Sequence, residues 1–408
     1  MSPLVAVFPP FVCRVALRYF RSIPACDVRL GRITALVGPN GAGKSNFVDA
    51  LRFVRDSLRH TLEFAMQDRG GIDAVRFKSS GHPTHFGIRL DLDFPDGHSG
   101  WYAFQIAAQK NGGFVVQKEQ CRVRTPEGGV AHFQAEGGKL KSASCDVLAV
   151  VEPDRLFLTT ISAISDFRPL YDGLTNMGLY NLNPARIRQL QDPDPGQVLE
   201  GDGRNLASVL RELGRSDPQA KERIDAYLRT IVPDVESAEY AKIGPKVTLE
   251  FRQDVGQTHP WRFSAQSMSD GTLRALGVLA AAFQGRVNGH RRVNLIGIEE
   301  PEVALHPGAA EALAEALLAA SVGVQVLLTT HSPDLLEHKG FQPDQILAVV
   351  NRKGRTSIAP IDEASREALR KGLYSVGELL RIGQLEPDEA QLFEEGGAQL
   401  DLFDTRPV

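Results

Sequence analysis

Residues 38–45 read Gly38-Pro39-Asn40-Gly41-Ala42-Gly43-Lys44-Ser45, and this stretch decides the fold. It fits the pattern GxxxxGK followed by Ser or Thr, in which glycines allow backbone N–H groups to turn inward around phosphate oxygens. In that pattern the lysine neutralises the outer phosphate oxygens, and the final hydroxyl takes a Mg²⁺ site. The sequence therefore predicts that residues 38–45, the phosphate loop, bind a nucleotide, with Ser45 as a metal ligand.

The residues on either side of the phosphate loop support this prediction. An apolar run from Ile33 to Val37 predicts a short strand, and residues 45–58 predict a helix. Such a helix directs its positive N-terminal end at the bound anion. A glycine-rich turn that binds nothing is the alternative, but the strand–loop–helix order favours a phosphate-binding unit of an α/β protein.

A β-rich stretch follows the first helix. Apolar side chains occupy every second position from 86 to 94, which predicts a half-buried strand. Gly-Gly pairs at 112–113, 128–129 and 137–138 separate further short strands. This punctuation indicates a meander of hairpins.

The rest of the chain returns to helices and alternating strands. Asp217 and Pro218 predict the start of a helix, as N-cap and first helical residue. From Val247 onward strands alternate with helices, which indicates a mostly parallel sheet. We therefore expect four parts: an N-terminal lobe (1–134), an inserted mixed or helical subdomain (135–245), a C-terminal lobe (246–385) and an acidic flexible tail (386–408).

A pair of acids ends a second apolar strand. The run from Val293 to Ile298 is followed by Glu299 and Glu300. Two carboxylates at the end of a buried strand are costly unless a cation or a reaction requires them. Downstream of a phosphate loop, the first acid is expected to hold Mg²⁺ and the second to orient the attacking water. Glu299 stands where Asp is usual, which lengthens the arm by one methylene.

Three further segments carry a resemblance to a known family. They are Ser267-Met268-Ser269-Asp270-Gly271-Thr272-Leu273-Arg274, Glu300-Pro301-Glu302-Val303-Ala304-Leu305-His306-Pro307 and Thr329-Thr330-His331-Ser332-Pro333. The first, here called the signature segment, resembles the ABC signature in an SDGT form. The second resembles the run from the Walker B strand to the D-loop, and the third resembles the switch-histidine segment. Together they resemble the RecF/SMC-like branch of ABC-type ATPases, a soluble AAA-family group associated with DNA.

This resemblance covers residues 11–95 and 245–385, and Asn46 after the loop favours the branch over transporters. It implies a P-loop NTPase fold of ABC ATPase type, with a mixed sheet, a β-rich N-terminal lobe and a helical inserted subdomain. It also implies ATP and Mg²⁺ as ligands. In such a family ATP joins a two-fold homodimer and hydrolysis releases it. Gln67 is a candidate for the Q-loop glutamine.

The resemblance assigns roles to individual residues. Residues 38–46 of one subunit bind ATP, and Ser269, Asp270 and Gly271 of the second subunit complete that site at the γ-phosphate. His331 is expected to hydrogen-bond the γ-phosphate and to fix the water near Glu300. Glu300 and His331 are thus the expected catalytic residues, and Ser45 and Glu299 are the expected metal ligands.

A short string near the end of the chain suggests a protein partner. Gln399-Leu400-Asp401-Leu402-Phe403 resembles the bacterial sliding-clamp-binding motif. Leu402 and Phe403 supply apolar anchors of the kind that an extended peptide inserts into a preformed groove. The alternative is that both side chains pack onto their own domain. The sequence leaves both interpretations open.

Composition places limits on location and partners. The 408 residues are 42% hydrophobic and 24% charged with a net charge of −4, so nucleic acid would need a local basic patch. The four cysteines are scattered, which indicates reduced thiols in a cytoplasmic protein. No uncharged apolar run approaches the roughly 20 residues of a membrane span. We therefore expect no membrane association.

Three functions remain open. The first is an ATP-hydrolysing switch acting on DNA or on a DNA-bound partner in repair, genome maintenance or phage defence. The second is an ATP-dependent scaffold that recruits a separate effector nuclease. The third is the nucleotide-binding subunit of a transporter, against which the SDGT form and the large middle segment weigh.

Overall fold

The fold is given by a computed structural model. It describes residues 11–78, 83–110, 112–145, 150–257, 259–284, 286–287, 290–291, 293–392 and 400–403. Within these ranges the strands are β1 (Val12–Phe20), β2 (Ile23–Arg29), β3 (Ile33–Val37), β4 (His85–Asp93), β5 (Ser99–Ala108), β6 (Phe114–Arg124), β7 (Val130–Glu136), β8 (Lys139–Ala143), β9 (Gly178–Tyr180), β10 (Val235–Ile243), β11 (Lys246–Gln253), β12 (Trp261–Ser264), β13 (Arg286–Val287), β14 (His290–Arg291), β15 (Leu295–Glu299), β16 (Gln325–Thr330), β17 (Ile346–Arg352) and β18 (Arg355–Pro360).

Helices cover both faces of the central sheet or connect its strands. They are α1 (Lys44–Arg59), α2 (Leu62–Gln67), α3 (Ile72–Val75), α4 (Leu158–Ile161), α5 (Arg168–Thr175), α6 (Pro184–Arg188), α7 (Leu206–Ser216), α8 (Pro218–Ile231), α9 (Asp270–Phe283), α10 (Pro307–Ala320), α11 (Pro333–Leu336), α12 (Glu363–Arg370) and α13 (Val376–Arg381). None of them, within the described ranges, combines the length and the apolar composition that crossing a bilayer requires.

The central sheet has six strands in the order β18-β17-β3-β16-β15-β9. All neighbouring pairs are parallel except β17 with β18. Every residue of β3 is buried. Because the carboxyl ends of β3, β15 and β16 meet at one edge, the loops that follow them lie side by side there. The predicted α/β class with a mixed sheet is confirmed.

A second, fully antiparallel sheet has the order β2-β1-β4-β5-β6-β7-β8. The even positions from Phe86 to Leu92 of β4 are buried, as their alternation predicts. Phe53 of α1 contacts Phe86 with ring centroids 5.5 Å apart. Aromatic and aliphatic side chains of α1 therefore join this sheet to the central one, and the predicted β-rich N-terminal lobe is present.

The middle segment is built from α4–α8 and the strands β8, β9 and β10. Asp217 accepts a hydrogen bond from the Ala220 N–H at 3.0 Å, as expected of the N-cap of α8. The boundaries predicted at 134 and 245 each fall inside continuous sheet: the first lies within β7, and the second lies in the hairpin of β10 and β11. Strand β9 also comes from this segment and pairs with β15. The middle segment therefore shares strands with both lobes, because its apolar residues are buried against theirs.

The acidic tail was predicted to be flexible, and its described parts are instead packed. The N–H of Asp388 donates to the Pro360 carbonyl at 2.8 Å. Residues 400–403, here called the C-terminal segment, lie on the antiparallel sheet. Leu402 is 2% exposed and packs with Ala16 of β1. The burial of apolar side chains outweighs the conformational entropy that a flexible tail would keep.

Candidate nucleotide-binding site

The phosphate loop occupies the turn between β3 and α1. Gly41 and Gly43 have positive φ angles of 78° and 102°. A Cβ at Gly43 would lie 2.1 Å from the Thr356 Oγ1, and one at Gly38 would lie 2.0 Å from the Val349 carbonyl oxygen. Neither position tolerates a side chain. The loop backbone is thus fixed tightly against β17 and β18.

Lys44 points into this loop. Its Nζ donates to the carbonyls of Gly38 at 2.7 Å and Pro39 at 3.0 Å. Burial lowers the pKa of Lys44, and the charges of Glu300 and Glu302 act in the opposite direction. Because this buried ammonium has only neutral carbonyl partners in the loop, it favours the binding of an anion beside it.

The outer side of the loop is open to solvent. Pro39, Asn40, Gly41 and Ser45 are exposed, whereas Ala42 is buried. Ser45 lies in the first turn of α1, at the positive end of a sixteen-residue helix. The predicted phosphate-facing surface is therefore accessible.

Asn46, predicted to bind the nucleotide, also supports the loop through its side-chain amide. Its Nδ2 donates to the Ser22 Oγ at 2.6 Å, and the Ser22 Oγ lies 2.7 Å from the Thr356 Oγ1. The Thr356 hydroxyl donates in turn to the Ala42 carbonyl at 2.8 Å. The amide is thus engaged at the turn between β1 and β2, because that turn packs directly beside α1.

The first acid lies at the end of β15, in register with β16. Glu299 is 6% exposed, and its Oε1 accepts a hydrogen bond from the Arg52 Nη2 at 2.8 Å. The glutamate therefore pairs with a side chain of α1. Sequence reasoning missed Arg52, although its position seven residues after Ser45 places both on one face of α1.

The second acid and the switch histidine meet at the same sheet edge. The Oε1 of Glu300 lies 3.6 Å from the Nδ1 of His331. Glu300 has a left-handed φ of 47°, and its N–H donates to the Thr329 carbonyl at 3.0 Å. A positive φ is rare for a residue with a side chain, and such strain concentrates at functional sites. The two residues predicted to be catalytic are brought together.

A third acid, which sequence reasoning missed, lies behind this pair. Glu302 is 6% exposed and accepts a hydrogen bond from the Thr330 Oγ1 at 2.6 Å. Burial raises the pKa of Glu302. Among the described residues, its Oε2 and the His331 Nδ1 receive no hydrogen bond. Residues 299–304, here called the acidic turn, therefore carry one buried oxygen, the Glu302 Oε2, that has no hydrogen-bond partner among the described residues.

The signature segment begins α9. Ser269 is its N-cap, and the Ser269 Oγ accepts a hydrogen bond from the Thr272 N–H at 3.1 Å. Asp270 pairs with Arg188 at 2.5 Å. A Cβ at Gly271 would lie 2.3 Å from the Ala304 carbonyl oxygen, so the helix start touches the acidic turn. Ser269 and Asp270 are exposed at this helix end.

Comparison with known families identifies the domain. The family described as "AAA domain, putative AbiEii toxin, Type IV TA system" matches residues 33–105 and 153–337, which is more than half of the chain. The chain belongs to this family. The matched ranges contain the phosphate loop, the signature segment, the acidic turn and His331. The predicted likeness to RecF/SMC-like ABC-type ATPases is confirmed.

Individual relatives of this AAA domain are distant. The chain is 22% identical over 427 residues to the "Old nuclease" of Escherichia phage P2, covering 95% of this chain and 68% of that protein. An Smc head bound to the C-winged helix domain of ScpA has a TM-score of 0.53 and 14% identity, covering 87% of this chain and 99% of the other. An Smc head with an extended coiled coil, bound to the C-terminal domain of ScpA and derived from Pyrococcus furiosus, has a TM-score of 0.54 and 11% identity over 89% and 99%. These structures support the AAA and SMC-head type of fold.

The donor set of the AAA domain fits Mg²⁺ only together with a nucleotide. The exposed Ser45 hydroxyl and the Glu299 carboxylate are hard oxygen donors, which Mg²⁺ prefers, and phosphate oxygens would complete the set. Across the ranges that the structure describes, no group of three or more His, Cys, Asp or Glu side chains is arranged to hold a metal ion. The four cysteines are free thiols.

Gln67, the candidate for the Q-loop glutamine, is exposed on α2 of the AAA domain. Its Nε2 donates to the Glu63 Oε1 at 3.0 Å, one turn earlier on the same helix. This local pair accounts for the side chain and gives no support to a role at the nucleotide site. The structure therefore does not favour the candidate.

Proposed function

We propose that this chain binds ATP with Mg²⁺, dimerises around it and hydrolyses it. The observation that carries the proposal is the 3.6 Å approach of the Glu300 Oε1 to the His331 Nδ1, at the sheet edge shared with the phosphate loop. A carboxylate and an imidazole that meet beside a buried lysine are the groups that phosphoryl transfer to water needs.

Each residue at this edge has a defined task. Lys44 and the loop N–H groups bind the β- and γ-phosphates, while Ser45 and Glu299 would hold Mg²⁺. Bound Mg²⁺ neutralises charge that develops on the phosphate oxygens. Glu300 orients a water molecule and accepts its proton as the water oxygen bonds to the γ-phosphorus and ADP departs. His331, whose side chain is 38% exposed, donates a hydrogen bond to the γ-phosphate.

The dimer follows from the signature segment. Its exposed N-cap Ser269 and the positive end of the fourteen-residue helix α9 form an anion-binding surface. In a two-fold dimer this surface of one copy closes the phosphate loop of the other. ATP then binds between the copies, and the loss of its γ-phosphate separates them.

Light scattering tests this proposal directly. We expect the mass of the hydrolysis-deficient Glu300→Gln protein to double when ATP and Mg²⁺ are added. The matched Lys44→Ala protein is expected to remain a monomer, because its loop has lost the charge that binds phosphate. A protein that stays monomeric at saturating nucleotide, as verified by fluorescent-nucleotide binding, contradicts the dimer.

We further propose that the switch acts on DNA or on a DNA-bound partner in repair, genome maintenance or phage defence. The supports are the similarity to the Old nuclease of phage P2 and the SMC-head type of fold. Adding duplex DNA to the same light-scattering and turnover measurements is the test. DNA that neither joins the ATP-bound dimer nor changes turnover removes direct DNA action.

An ATP-dependent scaffold that recruits a separate effector nuclease is the second candidate. The chain aligns with 68% of the length of the Old nuclease, and its described residues contain no three-residue metal cluster. The Glu300→Gln protein separates the two candidates. If its ATP-bound dimers keep full biological activity, turnover is dispensable and the scaffold is favoured.

We propose a sliding clamp as a further partner, reached through residues 399–403. Gln399 lies outside the described residues, and Leu400 and Leu402 are 8% and 2% exposed. Lys118 lies 4.6 Å from the ring centroid of Phe403. Clamp binding therefore requires the C-terminal segment to leave its sheet. This would expose the apolar surface of Ala16.

A pull-down with the purified clamp tests this partner. We expect the full-length protein and a peptide of residues 399–403 to bind, with the peptide binding more tightly because it has no docked state to leave. Phe403→Ala is expected to weaken peptide binding by about tenfold, the cost of losing one apolar anchor. Unchanged clamp binding by the Phe403→Ala protein removes the clamp from the list of partners.

A further inference from the structure

Arg274 connects α9, the helix that begins with the signature segment, to the main chain of Glu299 and Glu300. It lies on the second turn of α9 and is 8% exposed. Its Nε donates to the Glu300 carbonyl at 3.0 Å, and its Nη2 donates to the Glu299 carbonyl at 2.9 Å. Its Nη1 donates to the Leu182 carbonyl at 2.8 Å. All three nitrogens of one buried guanidinium thus bind main-chain oxygens.

This arrangement depends on the shape of arginine. The guanidinium is a rigid, planar set of donors, whereas a lysine ammonium in the same place reaches fewer of these carbonyls. Burial lowers the pKa of Arg274, and the charges of Glu300, Glu302 and Glu299 oppose that shift. The bond to the Glu300 carbonyl also holds a residue whose φ is 47°. Arg274 therefore fixes the strained backbone that carries the Glu300 carboxylate.

A second contact makes the connection stiff. A Cβ at Gly271 would lie 2.3 Å from the Ala304 carbonyl oxygen, and Ala304 itself has a φ of 66°. The helix start thus touches the far end of the acidic turn, while Arg274 holds its beginning. Because packed backbones do not deform freely, a shift of the N-terminus of α9 displaces the acidic turn as well.

We infer that Arg274 couples the two nucleotide sites of the dimer. This inference rests on the proposed function, in which ATP lies between two copies. In that arrangement Ser269 of a subunit faces the nucleotide on its partner's loop, whereas Glu300 of the same subunit faces the nucleotide on its own loop. Arg274 is the positioning residue that joins them. When ATP occupies one site, it therefore orders the Glu300 that serves the other site.

Mixed dimers separate the two sites. The first subunit carries Ser269→Glu and Glu300→Gln, so it binds ATP without hydrolysing it and has no working signature segment. The second carries Lys44→Ala, so its own loop is empty while its signature segment meets the ATP of the first. The second subunit is labelled with ¹⁵N, which distinguishes its peptides by mass. Amide hydrogen exchange of its residues 299–304 is the readout.

We expect ATP to slow exchange in the acidic turn of the second subunit by about tenfold, although its own site is empty. Introducing Arg274→Lys into that subunit is expected to abolish the protection while mixed dimers still form. The matched control is Arg188→Lys. Arg188 binds Asp270 and the Met268 carbonyl, but it contacts neither Glu299 nor Glu300. This control is expected to keep the protection.

The outcomes distinguish this inference from the dimer itself. If light scattering shows no mixed dimer, the proposed function fails. If mixed dimers form and the second subunit with its native Arg274 gains no protection, the coupling is wrong whatever the variants do. If protection appears and survives Arg274→Lys, the coupling exists but does not pass through this residue. Should Arg274→Lys not fold, the native mixed dimer still decides whether the two sites are coupled, and absent protection there overturns the inference.

Discussion

The Glu300→Gln protein is expected to lose about 10²- to 10³-fold of its ATP turnover while binding ATP as tightly as the native protein. The amide has the volume of the carboxylate but accepts no proton from the attacking water. The backbone of residue 300 is held through its own N–H and carbonyl, by Thr329 and Arg274, and neither bond involves the side chain. The substitution therefore removes one chemical group and leaves the site in place.

Steady-state phosphate release measures the loss, and fluorescent-nucleotide titration measures binding. The ATP-bound dimer is expected to persist for as long as turnover is blocked, which gel filtration after nucleotide removal detects. Glu311→Gln is the matched control, because Glu311 is exposed on α10 and the substitution is chemically the same. Native turnover in the Glu300→Gln protein would assign the reaction to another base and leave the His331 contact without a catalytic purpose.

Local patterns predicted the elements that carry the site. The strand Ile33–Val37 has the predicted bounds, and α1 begins within one residue of the expected position. The run from Val293 predicted β15, which ends at Glu299. Short-range rules suffice here, because the period of apolar residues and the glycine punctuation are set by the strand and the loop themselves. The family resemblance implied that His331 lies near Glu300, and the parallel pairing of β15 and β16 brings the two residues together.

Residues whose partners are distant along the chain could not be identified from the sequence. Arg52 and Arg274 each lie in a helix whose start was recognised, yet their partners are Glu299 and the main chain of the acidic turn. An arginine in a helix is ordinarily a surface charge, so only the folded arrangement shows that both are largely buried. Asn46 also has a partner that the sequence did not indicate. Its position beside the loop suggested the nucleotide, whereas the neighbouring turn supplies Ser22 as its partner.

The C-terminal segment shows why two interpretations remained open. Its leucines are apolar anchors in an acidic context, and the sequence does not tell which groove they enter. The groove appears only when β1, β4 and β5 are paired. A Cβ at Gly87 would lie 2.4 Å from the Leu402 Cδ1, so the absent side chain at 87 makes room for that leucine. A complementary surface assembled from distant strands has no local signature.

Ser269→Glu is expected to abolish ATP-dependent dimerisation and to leave ATP binding to the monomer intact. A carboxylate at a helix N-terminus is favourable to the helix, so α9 is retained. The same carboxylate would face the partner's γ-phosphate. Two unit charges 4 Å apart repel by about 4 kcal/mol at an effective dielectric constant near 20, which is about three orders of magnitude in the dimerisation constant.

Two measurements on one variant isolate the role of the signature segment. Light scattering in the Glu300→Gln background reports the dimer, and fluorescent-nucleotide titration reports the phosphate loop. Ser375→Glu is the matched control, since Ser375 caps α13 through a 3.0 Å hydrogen bond from the Glu378 N–H, as Ser269 caps α9. The control is expected to dimerise normally. If Ser269→Glu dimerises as well, α9 does not meet the partner's nucleotide. If instead Ser269→Glu weakens ATP binding to the monomer, the signature segment serves its own loop, and the two-fold arrangement is wrong.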